Sequence, residues 1–249
     1  MEVMRNCVIF NGTDLRDYGL YVSGDKTFDS PRKEYTKVSI PGRSGDLIRF
    51  DGRYSNVTLR YDAILIKNYE KNAAALRSIL LSPEGYCRIE DSYHPDEYRL
   101  GYFEGPLEFD SIFLQAGETT LEFNCRPERF LKDGETPIDI TNGGTIRNST
   151  TFSSKPIITI TGYGNLSFTF SGLGGTTSFA YKIPQASSGT YTIDCEEMDC
   201  TSSVSGIYPN SFYEGSEFPM LNPGNNMITI TKSNASISLI TITPRWYIL

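Results

Sequence analysis

Short segments in which apolar and polar residues alternate constrain this chain more than any other feature. Val57, Leu59 and Tyr61 are separated by Thr58 and Arg60. Successive side chains of a β-strand point to opposite faces, so this pattern predicts a strand buried on one side. Related patterns occur at residues 119–125, 157–161, 166–170, 177–183, 190–195, 227–231 and 237–242. Gly, Pro and Asn separate these segments and favour turns, which indicates a mainly β protein.

One segment has a helical period instead. Tyr69, Ala73, Leu76 and Leu80 recur at intervals of three or four residues, and Asn68 precedes them as a candidate N-cap. A Pro and a Gly follow the segment closely and favour its end. The first part of the chain is therefore predicted to be α+β, with one helix of about three turns among strands.

The distribution of charge divides the chain. Residues 1–131 contain 17 Lys or Arg and 21 Asp or Glu, whereas residues 132–249 contain only 6 and 9. Residues 132–155 are rich in Gly, Ser, Thr and Pro, which is typical of loops. The sequence predicts a first domain over 1–131, a linker over 132–155, and an all-β second domain over 156–249.

Composition excludes several classes of protein. The net charge of −7 lacks the basic excess with which nucleic-acid-binding proteins neutralise phosphates. No apolar stretch is long enough for a signal peptide or a membrane span, so we expect synthesis in a reducing cytoplasm and no membrane partner. The five cysteines form no CxxC pair and are interpreted as buried, small apolar residues.

No set of residues indicates catalysis. Ser44 lies between glycines but without the G-x-S-x-G spacing, and the single histidine, His94, lies in a Pro-containing turn. The acidic residues of segment 194–199 lack the spacing of a calcium loop, and the Gly-rich segment 172–176 has no Gly-Lys-Ser/Thr sequence. We therefore expect no enzyme, no cofactor and no metal, and only weak support for a hydrolase.

Several segments, taken in order, resemble the distal tail proteins of long-tailed bacteriophages (siphophages), the Dit family of tail and baseplate hub proteins. The similar segments are residues 10–20, 41–45 (Pro-Gly-Arg-Ser-Gly), 51–56, 76–86, 125–127, 155–158, 193–196, 218–226 and 244–245. Each motif is weak alone, and their order and spacing over nearly the whole chain carry the resemblance.

The resemblance implies a structural part of a phage or prophage. The first domain would be a ring-forming β-sandwich or split barrel with one helix, and the second a galectin-like β-sandwich outside the ring. The expected assembly is a homo-hexameric hub of the baseplate at the tail tip. The tail tube protein would lie above it and the tail-associated fibre or lysin protein below, with DNA only passing through the lumen. The subunit would be assembled in the bacterial host cytoplasm and remain in the virion.

The segment from Asp25 to Gly52 is the candidate contact between subunits. It is long, charged and Gly-containing, and we interpret it as a functional loop that reaches a neighbouring copy. Arg43 and Arg53 flank Asp46 and Asp51, so local ion pairs are expected to order it. The candidate interface residues are Pro41, Gly42, Arg43, Gly45, Asp46 and Arg49.

A carbohydrate- or receptor-binding module that acts in host adsorption is the alternative. Galectin sites combine His, Asn, Arg and Trp, but the second domain has no His and its Trp246 lies three residues from the end. Tyr208 and Tyr213 are the aromatic residues that keep this alternative open.

Overall fold

The chain forms two compact units, Met1–Arg129 with Leu249, and Phe130–Ile248. The computed structural model describes residues 6–23, 30–66, 68–112 and 116–249. Among these residues β-strands predominate, and one α-helix occurs, in the first unit. The expected mainly β fold with one helix is therefore confirmed.

The first unit contains strands and one α-helix. They are β1 (Val8–Phe10), β2 (Thr13–Asp14), β3 (Leu20–Val22), β4 (Lys33–Val38), β5 (Leu47–Tyr54), β6 (Val57–Ile66), α1 (Tyr69–Leu81), β7 (Cys87–Asp91), β8 (Glu97–Phe103), β9 (Asp110–Ile112) and β10 (Ala116–Leu131), with a short 3-10 helix at Leu15–Tyr18. The division falls inside β10, near its end.

The elements of the second unit are all strands and short 3-10 helices. The strands are β11 (Ile138–Asp139), β12 (Gly144–Asn148), β13 (Ile157–Gly172), β14 (Gly175–Ile183), β15 (Gly189–Asp194), β16 (Asp199–Ser202), β17 (Tyr213–Glu214), β18 (Gly224–Thr243) and β19 (Tyr247–Ile248). The 3-10 helices are Lys132–Glu135, Gln185–Ser187 and Pro209–Phe212.

The first unit is organised around one antiparallel sheet in the order β2-β1-β7-β8-β10-β6-β3, with β9 added on β10. Strands β6 and β10 pair over ten residues, from Val57 with Cys125 to Ile66 with Ala116. Their inward side chains, such as Leu59, Tyr61 and Phe123, are buried in one hydrophobic core. The apolar residues of the alternating pattern therefore face the core, and the polar residues between them face outward from the sheet.

The helix α1 covers this core with one face. Ala73, Leu76 and Leu80 are buried, as the helical spacing predicts. Asn68 occupies the N-cap position, but its backbone is left-handed (φ 42°) and its side chain makes no capping hydrogen bond, so the expected side-chain cap is not formed. No helix in the described part of the chain combines the length and apolarity that a membrane crossing needs.

A buried polar contact fixes β6 against the turn after β7. The hydroxyl of Tyr61 donates to Asp91 Oδ2 at 2.7 Å, and the backbone N–H groups of Tyr93 and His94 donate to Asp91 Oδ1 at 2.9 Å each. Burial and the neighbouring carboxylate raise the pKa of Tyr61 well above its ordinary value, so the hydroxyl keeps its proton and donates.

The second unit is a curled antiparallel sheet built on its two longest strands. Strand β13 pairs with β18 along nearly its whole length, and also with β14 and β15. The register of β13 and β18 shifts near Gly162 and Gly164, both at φ 134°. A Cβ on Gly162 would lie 2.2 Å from the carbonyl oxygen of Ser236, so only glycine allows this close approach.

The predicted linker over residues 132–155 is wrong. Strand β11 pairs with β18, and β12 pairs with the other end of β18. Ile140 and Ile146 are buried in the core of the second unit. The segment was read as a loop because it is rich in Gly and Thr, but pairing with β18 satisfies its backbone and makes it part of the second unit.

The C-terminal segment is held by an ion pair with β15. Arg245 donates from Nη2 to Asp194 Oδ1 at 2.7 Å, from Nη1 to Oδ2 at 3.0 Å, and from Nε to the carbonyl of Lys155 at 2.7 Å. Partial burial alone would raise the pKa of Asp194, but hydrogen bonds from Arg245 and from the N–H groups of Glu196 and Glu197 lower it.

Replacing the buried tyrosine hydroxyl should destabilise the first unit. Because Tyr61→Phe removes a buried hydrogen bond to Asp91, we expect the free energy of unfolding to fall by about 1–3 kcal/mol. Hydrogen exchange of the β6 and β10 amides measures it. Tyr102→Phe removes a hydroxyl that contacts exposed Glu104 and is the matched control. An equal effect of both variants would contradict a special role for the buried contact.

The Asp194 ion pair should make the stability of the second unit pH-dependent. Since the folded-state pKa of Asp194 is lowered, its contribution is full above the unfolded-state pKa of about 3.9 and is lost as the pH falls through the folded-state value. At pH 7, Asp194→Asn should lower the free energy of unfolding of the second unit by about 1–3 kcal/mol. The difference in this free energy between the variant and wild type should shrink in acid.

The only tryptophan of the chain, Trp246, is buried in the second unit, and its fluorescence during urea unfolding reports this loss. Glu217→Gln changes an exposed carboxylate and serves as the control. A constant difference between Asp194→Asn and wild type from pH 7 to pH 3 would rule out the linkage.

Candidate assembly interface

The segment predicted to be a long loop is a β-hairpin over its described part. Strands β4 and β5 form a two-stranded antiparallel sheet of their own, with Tyr35 opposite Phe50 and Val38 opposite Leu47. The beginning of the expected segment, residues 25–29, lies outside the described residues. The loop prediction is thus wrong for residues 33–38 and 47–52, which form the paired strands β4 and β5.

The tip of the hairpin contains most of the candidate interface residues. The N–H of Arg43 donates to the carbonyl of Ile40 at 3.2 Å, which closes a turn with Pro41 and Gly42 at its centre. Gly42 has φ 81°, the conformation that a type II turn requires at this position after Pro.

The other candidates lie beside this turn. Gly45, at φ 85°, and Asp46 complete the tip, and Arg49 lies in β5 opposite Thr36. All six candidate side chains are exposed. The hairpin thus presents them together, but they make no enclosed site.

One face of the hairpin carries Val38 and Leu47 near the tip and is otherwise polar and internally paired. Arg53 Nε lies 2.8 Å from Glu34 Oε2, and the hydroxyl of Thr36 donates to Asp51 Oδ1 at 2.7 Å. The expected ion pairs of Arg43 and Arg53 with Asp46 and Asp51 are not those that form, because cross-strand neighbours lie closer than chain neighbours.

The opposite face is aromatic and cationic. Phe50 contacts the rings of Tyr35 and Tyr54, each at a centroid distance of 5.7 Å. Lys33 Nζ lies 5.8 Å from the Phe50 ring centre and 5.9 Å from that of Tyr54, and Lys37 stands opposite Ile48. These residues were not among the candidates, although Ile48 and Phe50 already alternate with Arg49 and Asp51 in the sequence.

The apolar side chains of the hairpin belong to neither hydrophobic core. On the aromatic face Ile48 is 59% exposed, and Tyr35 and Phe50 are 43% exposed each. A two-stranded hairpin without a covered face is at best marginally stable in water, and a clustered exposed apolar surface indicates an interaction site. The hairpin is therefore a candidate interaction surface of the described part of the chain.

The candidate catalytic and metal-binding residues do not form a site. Ser44 lies at the exposed hairpin tip, whereas His94 Nδ1 lies 3.9 Å from Asp91 Oδ1 in the turn after β7. No group of three His, Cys, Asp or Glu side chains that could hold a metal occurs in residues 6–23, 30–66, 68–112 and 116–249. In the acidic segment, Asp194 binds Arg245 and Asp199 accepts a hydrogen bond from Asn210.

All five cysteines are buried and free, as the sequence indicated. Burial raises the pKa of Cys125 and of Cys200 to about 12 each, so these thiols stay protonated near neutral pH. They act as small apolar side chains.

The aromatic residues proposed for sugar binding are mostly used for packing. Trp246 is buried. The ring of Tyr213 stacks on Phe179 and Phe218 at centroid distances of 4.9 and 4.4 Å. Tyr208 remains exposed, at 70%. A single exposed tyrosine offers a stacking surface without the polar groups that surround a galectin site.

The structure is similar to a solved phage protein over its whole length. The crystal structure of the Dit (gp19.1) protein of SPP1, described as a paradigm of the hub adsorption apparatus in phages that infect Gram-positive bacteria, superimposes with a TM-score of 0.71. The match covers 98% of this chain and 99% of that chain. The chain has the fold of SPP1 Dit.

Sequence identity with SPP1 Dit is only 17%, so the likeness concerns the fold. No family model and no curated protein sequence matches the chain. The fold expected from the resemblance to distal tail proteins is confirmed by this comparison.

The hairpin should be the least protected sheet of the chain when the chain is monomeric. Because no described core residue covers its aromatic face, amides of β4 and β5 should exchange about tenfold or more faster than those of β13 and β18. Hydrogen exchange with mass spectrometry at low protein concentration measures this. Equal protection would mean that the protomer itself holds the hairpin.

Proposed function

We propose that the chain is a structural subunit of a phage tail-tip hub, built by contacts between copies of itself. Six copies would form a ring of the baseplate that joins the tail tube protein above to the tail-associated fibre or lysin protein below. DNA would only pass through the lumen. The subunit would be assembled in the host cytoplasm and become part of the virion. The shared fold with SPP1 Dit supports a role of this kind.

The observation that carries this proposal is the exposed hairpin formed by β4 and β5. Its aromatic face, around Tyr35 and Phe50, is exposed in the protomer and carries aromatic side chains of the kind that are enriched at interface centres. Such a face is costly in water unless another molecule covers it. Since every subunit carries this face, a contact between subunits that covers it is the simplest role for the hairpin.

The proposed contact is compatible with a closed ring. The hairpin would bind a different surface of the next copy, which makes the contact heterologous. Repetition of a heterologous contact gives a ring if the rotation closes, and a filament otherwise. The candidate residues Pro41, Gly42, Arg43, Gly45, Asp46 and Arg49 would lie at the end of the hairpin that enters the neighbour.

The proposed role needs no catalytic group, cofactor or metal. Ser44 and His94 lie in separate elements, and each has surroundings that explain it: a turn for Ser44, and the carboxylate of Asp91 for His94. The proposal is therefore a structural protein and not an enzyme.

Removing the aromatic face should prevent assembly without unfolding the chain. We expect Tyr35→Ser with Phe50→Ser to shift the mass distribution from ring to monomer, because the apolar surface that would be buried between subunits is lost. Native mass spectrometry and negative-stain images report mass and ring shape. Trp246 fluorescence checks that the second unit remains folded.

Leu173→Ser with Met198→Ser is the matched control, since both residues are exposed apolar side chains outside the hairpin, 84% and 67% exposed. Rings that persist in Tyr35→Ser with Phe50→Ser would remove the hairpin from the contact. A chain that stays monomeric at every concentration and binds glycans through Tyr208 on an array would favour the carbohydrate-binding alternative.

A further inference from the structure

A broad groove crosses the outer face of the first unit's sheet. Its volume is about 1100 Å³, and it lies over β3, β6, β10 and the segment that leads into β9. None of the hairpin residues lines it, so the hairpin of the same protomer does not fill it.

The groove is acidic. Its lining includes Asp62, Glu108, Asp110, Glu118 and Glu122, and no Lys or Arg among the described residues. Arg60 neutralises one of the five, Glu122, from just outside the groove, with Nε 2.8 Å from Oε1. The remaining four carboxylates have no cationic partner within the described part of the chain.

The register of the sheet places two of these carboxylates against each other. Asp110 of β9 is directly opposite Glu118 of β10. Glu118 is also opposite Ile64 of β6, which in turn is opposite Tyr21 of β3. One row across four strands thus presents two acids and then two apolar side chains on the same face. Like charges directly opposite in a sheet repel, so an outside cation would stabilise this row.

The hairpin has the complementary composition. Residues 32–54 contain six Lys or Arg and three Asp or Glu, although the whole chain has a net charge of −7. On its aromatic face Lys37 stands beside Ile48, and Lys33 beside Phe50. This face thus combines cationic and apolar side chains, whereas the row through Glu118 and Ile64 combines acidic and apolar ones.

We propose that the acidic groove over β3, β6, β9 and β10 receives the aromatic and lysine-bearing face of the hairpin from a second copy of the chain. Lys33 and Lys37 bind the carboxylates around Asp110 and Glu118, and the apolar side chains of the hairpin cover Ile64 and Tyr21. The proposal rests on the assembly role proposed above and names the surface that accepts the hairpin.

The negative charge of the groove favours the lysine-bearing hairpin as its occupant. The groove repels nucleic acid, because its unpaired groups are all negative. Hairpin and groove occur in every copy and lie on different elements, so each subunit can give one hairpin and receive one. This is a heterologous arrangement, of the kind from which closed rings are built.

A charge exchange tests the pairing in the full-length chain. Lys33→Glu with Lys37→Glu should weaken association about tenfold or more, and Asp110→Lys with Glu118→Lys should do the same. Combining all four changes should restore association to within a few-fold of wild type. Native mass spectrometry or light scattering over a dilution series measures it. Lys71→Glu with Arg77→Glu, two exposed cations on α1, is the control of equal charge change.

A cross-link tests proximity even where association is transient. One chain carries Lys37→Cys and a second chain Glu118→Cys, and the five native cysteines are buried. Under mild oxidation the mixture should give a mixed disulfide dimer at least several-fold more than Lys37→Cys mixed with Arg77→Cys. Mass spectrometry of the linked peptides identifies the pair.

The outcomes separate the two proposals. If the lysine pair and the carboxylate pair can each be reversed without loss of ring formation, the hairpin binds elsewhere, while the assembly role stands. The same conclusion follows if the disulfide between positions 37 and 118 is no more abundant than the control. Loss of association that the combined variant does not restore, with a control-level cross-link, would indicate another tail protein in the groove. Failure of the wild-type chain to associate, together with a control-level cross-link between the cysteine variants, would overturn both proposals.

Discussion

The pairing of β6 with β10 is the contact on which the rest of the first unit depends. Ten residue pairs hold these strands in one register. Because side chains alternate between faces, this register places Tyr61 and Phe123 in the core and Asp62 and Glu118 on the outside. A slip of one residue would exchange the two sets and bury the carboxylates without partners. The core and the acidic groove therefore have the same origin.

The same geometry explains why the hairpin differs from the sheet beside it. Strand β5 ends at Tyr54 and β6 begins at Val57, yet β5 is exposed on both faces whereas β6 alternates between buried and exposed. The chain thus leaves the core within two residues. Its apolar side chains beyond that point, such as Phe50, have no covering layer of their own. A mature assembly that covers them would lower the free energy of every copy.

Two sequence predictions were wrong for related physical reasons. Residues 132–155 were read as a linker because β11 and β12 are only two and five residues long, too short to show a period above the surrounding Gly and Thr. The hairpin is predicted to be a loop because it is rich in charged residues and Gly, and the alternation of Ile48 and Phe50 with Arg49 and Asp51 is too short to outweigh them. The turn at Pro41 and Gly42, by contrast, depends on local residues, since a type II turn needs φ > 0 after Pro.

The sequence by itself determined the features that depend on neighbouring residues: mainly β structure, one helix over Tyr69–Leu81, and turns at glycines that need positive φ. Only the tertiary structure decided which distant residues meet. Tyr61 binds Asp91 thirty residues away, and Arg245 binds Asp194 fifty-one residues away. The row of neighbouring residues that contains Glu118 is formed by four different strands. Such contacts follow from strand order and register, which a local pattern of residues does not specify, because any strand with one apolar face can pair with any other.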